Sequence, residues 1–248
     1  MKIFYTLGLV LISCLVFAQE QSFEDQIREL GISERNEYIT DYTSPSGKKF
    51  SYIASSELYD KNGFLVERHE YNSEGYTQTV KTFNYDRKTD QLTDEYWFLS
   101  NDQDYHYWIH YLYNEQGRVE TGIQYFKEDT MLIFNLKYNA GGEVVSRTIR
   151  NKDGGLMSSL RYETLNDGTI YTYEFNDAEK MVSKVKEEVN GRGDISRSTS
   201  LNSSNIPIAD IFYEYKYDKK KLLKEIKTLD ADKKTLQVIK FAYIYRKK

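Results

Sequence analysis

The chain has 248 residues with 34 basic and 38 acidic side chains, a net charge of −4, two prolines and one cysteine. This near-balance supplies no basic field for nucleic acid. A single cysteine excludes a disulfide scaffold, and a chain of this length can bury a core without one.

The first element, in chain order, is a secretory signal. Lys2 precedes an apolar run from Ile3 to Phe17, and Val16-Phe17-Ala18 offers a small-residue cleavage site before Gln19. Cleavage after Ala18 leaves no thiol, with 33 basic against 38 acidic residues. Leu11-Ile12-Ser13-Cys14 also resembles a lipoprotein lipobox, in which Cys14 is acylated and tethers the chain to a membrane. Leu15, Val16 and Phe17 continue the apolar run beyond Cys14, which favours ordinary cleavage. Either route exports the chain across the inner membrane to the periplasm, the cell surface or the medium, and contact with a membrane follows only if Cys14 is lipidated. Next comes one short helix, with Ser22 as its cap, Phe23, Ile27 and Leu30 on one side and Gly31 as its stop. It is expected to cover the first edge of a sheet. Residues 34–48, around Ser44-Pro45-Ser46-Gly47, read as a polar linker, so that residues 19–48 form an N-terminal helix and linker and residues 49–248 the main domain.

From residue 59 onward a turn signal recurs. Tyr59-Asp60-Lys61-Asn62-Gly63, Tyr71-Asn72-Ser73-Glu74-Gly75, Tyr113-Asn114-Glu115-Gln116-Gly117 and Tyr138-Asn139-Ala140-Gly141-Gly142 are its clearest copies; Tyr85-Asp86 and Tyr217-Asp218 lack the Gly. One series of turns begins at 59, 85, 113, 138, 165, 189 and 217, and a second at 71, 99, 125, 150, 175, 201 and 229. The period is about 26 residues, with a reversal every 12 to 14. The roughly eight to ten residues left between reversals make a strand, so the repeating unit is a β-hairpin. Asp and Asn bond their own backbone two residues on, and Gly accepts positive φ, so both suit such reversals.

The segments between turns alternate with period two. Tyr105, Tyr107, Ile109, Tyr111 and Tyr113 share a face of one strand, as do Leu132, Phe134, Leu136 and Tyr138, then Tyr171, Tyr173 and Phe175. Ile211, Tyr213, Tyr215 and Tyr217 repeat the pattern, and so do Ile239, Phe241, Tyr243 and Tyr245. The fold class is therefore all-β: a long antiparallel meander of about a dozen strands, curled or barrel-like, with a short N-terminal helix. A membrane barrel is disfavoured because Lys137, Glu174, Glu214, Lys216 and Lys240 interrupt the alternate face.

Tyr111-Leu112-Tyr113-Asn114-Glu115-Gln116-Gly117-Arg118-Val119 resembles the YD repeat of Rhs-type bacterial proteins, with Tyr215-Lys216-Tyr217-Asp218 as a partial second copy. The hairpin period is similar to that of MORN-type repeats in secreted bacterial proteins. The resemblance spans residues 57–245. It implies curled hairpin sheets used for interaction and containment, and brings no catalytic residues.

Chemistry is sparse. His106 and His110 lie four residues apart, roughly 13 Å along a strand, too far to share a zinc ion. No nucleophile elbow, phosphate loop or metalloprotease motif occurs. Asp230 and Asp232, like Asp102 and Asp104, read as turn acids, because no calcium loop with a closing Glu follows them. Arg192-Gly193-Asp194 spells an adhesion tripeptide, but Gly and Asp belong in such a turn anyway. No catalytic residue, metal ligand or cofactor is expected. The leading expectation is a non-enzymatic interaction or structural module that contacts a protein or other envelope component. The alternative is a carrier that holds a lipid or small apolar ligand in a Tyr-lined cavity. Tyr107, Tyr111, Tyr171, Tyr173, Tyr213 and Tyr215 are the candidate ligand- or partner-facing residues, and as a carrier's lining they would surround one hollow space.

Overall fold

The computed structural model describes residues 23–43, 49–100, 102–202 and 204–246. The expected signal peptide, Cys14, the Ser22 cap and the loop at 44–48 lie outside them. A helix, α1 (23–30), leads into β1 (Ile32–Asp41), β2 (Phe50–Tyr59), β3 (Leu65–Tyr71), β4 (Thr77–Asp86) and β5 (Gln91–Leu99). Then follow β6 (Asp102–Tyr113), β7 (Val119–Phe126), β8 (Asp129–Tyr138), β9 (Val144–Asn151), β10 (Leu156–Thr164) and β11 (Ile170–Asn176). The last five are β12 (Met181–Val189), β13 (Ile195–Leu201), β14 (Pro207–Tyr217), β15 (Leu223–Leu229) and β16 (Thr235–Tyr245). Every strand pairs antiparallel with its sequence neighbours, and β1 pairs with β16 to close a sixteen-strand barrel.

The hairpins share one piece of turn chemistry. Among the described residues, in eleven of them the first residue, such as Asn114, donates its N–H to the carbonyl four residues on and accepts an N–H at its own carbonyl from the residue three on. In all but the Leu165 turn its side chain reinforces this: Asn114 Oδ1 accepts the N–H groups of Gln116 and Arg118, both at 3.0 Å. Asp230 does the same for Asp232 and Lys234, which gives it the turn role expected of it. The fourth residue adopts positive φ, as Gly63 does at 91°; where the Gly is missing Lys221 takes the conformation at 66°. The side-chain bonds therefore hold the turn even where a residue with a Cβ must enter the left-handed region.

Two expectations change here. The polar stretch from 34 is not a linker throughout, since β1 occupies residues 32–41 and is hydrogen-bonded on both sides. Its inward residues Arg35 and Glu37 are charged, so it lacks the apolar alternation that marks a half-buried strand. Nor does α1 cover a sheet edge, for closure leaves none. Its Ile27 instead packs with Ile32, Tyr59 and Leu222 in the main buried cluster, with Phe23, Leu30, Leu65 and Tyr243 around it.

That cluster sits at one end of the barrel, where the turn at 60–64 meets α1. A Cβ on Gly63 would stand 2.6 Å from the Glu24 carbonyl oxygen. An eight-residue helix is only about 12 Å long, whereas sixteen tilted strands enclose roughly 30 Å between opposite backbones if the section is round. α1 therefore caps one sector of the mouth. Among the described residues the side chains most fully buried are Ile27, Ile32 and Leu222, all in this cap, and along the rest of the barrel the wall is a single layer.

Candidate functional site: the barrel lumen

Cross-strand partners share a face, and the pairing carries one face continuously around the ring. It bears Arg35, Glu57, Arg68, Lys81, Trp97 and Tyr107 on β1 to β6. This is the face that α1 touches: the Arg35 guanidinium lies 5.0 Å over the Phe23 ring. Along β14 and β16 its residues Tyr213, Tyr215, Phe241 and Tyr243 are half-buried while Glu214, Lys216, Lys240 and Ala242 between them are exposed. The first set lines the lumen and the second faces outward.

The lumen wall from β1 to β4 is a ladder of alternating charge. Glu57, 3 % exposed, accepts from Arg35 Nη2 at 2.8 Å and Arg68 Nη1 at 3.2 Å, and Tyr59 also donates its hydroxyl to it. Glu70 pairs in turn with Lys81 at 2.9 Å, and the Lys81 ammonium sits 4.0 Å over Trp97. Burial alone would push the Glu57 carboxyl up, but the two guanidinium groups and the Tyr59 hydroxyl hold it below the usual range. Farther round, Glu187 on β12 is buried too; with no such partner among the described residues its pKa is raised by desolvation.

The wall from β6 to β10 is mostly apolar. Tyr107 packs on Phe126 at 5.3 Å between ring centroids, and Leu132, Phe134, Leu136, Ile149 and Leu160 continue the surface. Gly122 lies directly across from Phe134, and a Cβ there would stand 2.0 Å from the ring. The missing side chain lets the ring lie flat against the wall. Tyr111 donates its hydroxyl to Glu95 at 2.8 Å, and burial together with that carboxylate raises its pKa far above the usual phenol value.

At the α1 end a recess of about 460 Å³ opens between β12 and β15, lined in part by Arg192, Asp194, Tyr213, Tyr215, Tyr217 and Lys221. Two of the singled-out tyrosines thus line it together with the Arg-Gly-Asp turn. Asp194 is engaged by the Tyr217 hydroxyl at 2.5 Å and by Asn190 Nδ2 at 2.9 Å, and the Arg192 guanidinium stacks 4.6 Å over Tyr217. The tripeptide is folded onto the barrel rim by its own neighbours, which does not suit an adhesion loop.

The structure places Tyr107, Tyr111, Tyr213 and Tyr215 on the lumen wall, and Tyr171 and Tyr173 on the outside. Tyr173 pairs with Arg161, while Thr172 and Glu174 between the aromatic residues face inward beside Tyr162 and Leu160. Outside, the Lys184 ammonium caps Tyr171 and Tyr173 at 4.7 and 5.0 Å. The six tyrosines therefore do not surround one hollow space. Glu174 likewise faces in rather than interrupting the outer face. His106 and His110 are outward, one beside Phe98 and the other bonded to Asp94 at 2.8 Å. Lumen residues not singled out from sequence include Arg35, Glu57, Arg68 and Arg147. The alternation Val145, Arg147, Ile149 carried the last of them as a charge at an apolar position.

No family model matches the chain, and no curated protein matches it. Among solved structures, a porin-like protein from Bacteroides uniformis superposes with a TM-score of 0.60 over 87 % of this chain and 97 % of that one, at 11 % identity. A porin-like protein from Bacteroides vulgatus gives 0.49 over 86 % and 98 %, also at 11 % identity. A LolA-superfamily protein from Nitrosomonas europaea gives 0.29 over 92 % and 94 %, at 13 % identity. Only the first is similar enough to carry an argument, and it concerns the fold alone: the chain is similar to a porin-like β-barrel. The resemblance to YD and MORN repeats is thereby overturned. The Tyr-Asn-x-x-Gly pattern that carried it marks a hairpin turn used throughout a closed barrel, and any meander built on that turn would show it. The leading expectation of an interaction or structural module gains no support, and the barrel alternative fits the architecture better.

Proposed function

We propose that the protein is a non-catalytic carrier that holds an amphiphilic ligand in the lumen, after export to the cell envelope. The observation that carries this reading is the apolar inner wall of β6 to β10, which no second layer covers among the described residues. The outer face supports a barrel that stands in water. Arg161, Lys184, Lys186, Arg197, Lys227 and Lys240 project outward from β10 to β16. Each such charge at the middle of a lipid-facing belt would cost about 2–4 kcal/mol, so a membrane pore is the weaker reading despite the porin-like relative.

Binding of N-phenyl-1-naphthylamine, a neutral apolar fluorophore, tests the carrier. The expected result is saturable enhancement of its fluorescence. Gly122→Ala should weaken it several-fold by driving the Phe134 ring off the wall, and Tyr107→Ala should weaken it by removing the partner of Phe126. Tyr173→Ala, on the outside, should leave it unchanged. No saturable binding, or equal loss from inner and outer substitutions, would defeat the proposal.

A further inference from the structure

One cation in the lumen wall has no counterpart among the described residues. Three arginines on strands face inward. Arg35 pairs with Glu57, and Arg68 lies within reach of both Glu57 and Glu70. Arg147 makes no ion pair among the described residues, and its Nε is buried without a hydrogen-bond partner. Its cross-strand neighbours, Leu136 and Leu160, are themselves buried at 6 % and 8 % exposure. Its guanidinium carbon stands 4.8 Å over the Phe134 ring. A cation is thus set into the most apolar stretch of the wall, where an unmatched donor is costly.

A guanidinium presents its Nε–H and one Nη–H side by side, at a spacing that fits two oxygens of a carboxylate or phosphate. The outer face of this barrel shows such a fork in use: Arg197 gives Nε and Nη2 to the two oxygens of Asp210 at 3.1 and 3.0 Å. At Arg147 no described side chain plays the part of Asp210, and Leu132, Phe134, Leu136 and Ile149 lie to either side of it on the same face. We infer that Arg147 anchors the head of an anionic amphiphile, a carboxylate or phosphate on an acyl chain, whose tail lies along β8 and β9. This rests on the carrier reading and names the ligand class that the same lumen would select.

The test compares palmitate, hexadecanol and hexadecyltrimethylammonium by calorimetry on the intact protein, below their aggregation concentrations. Palmitate is expected to bind about ten- to a hundredfold more tightly than hexadecanol, the range for a charge-assisted hydrogen-bonded pair. The cationic amphiphile should bind more weakly than either. Arg147→Met should bring palmitate down to the level of hexadecanol and leave hexadecanol itself unchanged. Arg147→Lys, which keeps the charge without the fork, should retain part of the preference. Equal binding of palmitate and hexadecanol to the unsubstituted protein would overturn the role of Arg147 and leave the carrier standing. Binding of none of the three would overturn both. The comparison on the unsubstituted protein needs no variant, so a variant that fails to fold does not shield the inference.

Discussion

Glu57 and Glu187 face the same lumen and respond to it in opposite senses. The guanidinium groups of Arg35 and Arg68 hold the Glu57 carboxyl low in spite of its burial, so its stabilising effect is fully present above the ordinary carboxylate range and is lost as pH falls through its folded-state pKa. Glu57→Gln leaves Arg35 without its partner and Arg68 with Glu70 alone, and should cost about 3–5 kcal/mol at neutral pH. In urea melts the gap from the unsubstituted protein should close as the solution is acidified below pH 4.5. At Glu187 burial raises the pKa, so ionisation costs stability once pH rises above the unfolded value of 4.5. Glu187→Gln should therefore stabilise at pH 7, by about 2–4 °C in Tm for each kcal/mol relieved, and make no difference at pH 3.5. An unchanged melting curve at pH 7 would mean that water or a neighbour already relieves this carboxylate. Tyr171 and Tyr173 point outward because of how their strand is paired. Alternation shows which residues of one strand share a face, whereas the choice between lumen and solvent depends on pairing, and nearly every hairpin carries a register shift beside its turn.

The turn is the element that the sequence displayed most openly, since Asp or Asn at its first position is a local, side-chain-to-backbone device. All fourteen expected reversals fall at strand ends. β1 was hidden for the converse reason: the charges on its inner face are satisfied by β2 and β3, and such long-range pairing leaves no local pattern. The turn at 60–64 also docks α1, which gives a test. Gly63→Ala and Gly154→Ala both force a Cβ into positive φ, but the new methyl meets the α1 backbone at 63 and open space at 154. Each should lose roughly 1–3 kcal/mol to backbone strain. Only Gly63→Ala should also speed hydrogen exchange of the α1 amides. Equal exchange in the two variants would show that α1 is held without this turn.

Closure is the property of the whole molecule, and it was visible in the sequence only as one of two options. It depends on the pairing of Ile39 with Ile239 and their neighbours, two hundred residues apart. An open sheet of sixteen strands would be about 75 Å wide, with a radius of gyration above roughly 22 Å. The barrel should scatter X-rays close to the roughly 17 Å of a compact chain of this length. A value above 22 Å for monomeric residues 19–248 would refute closure in solution. The β1–β16 seam joins the first of the sixteen strands to the sixteenth, and Arg246 donates its N–H to the Gly31 carbonyl beyond it at 2.7 Å. Until Thr235 and the residues after it have been synthesised, the ring is a fifteen-strand sheet with two unsatisfied edges. A chain that stops short of that strand is therefore not a narrower cup but a seed for end-to-end polymerisation, so proteolytic loss of β16 should drive the protein to aggregate.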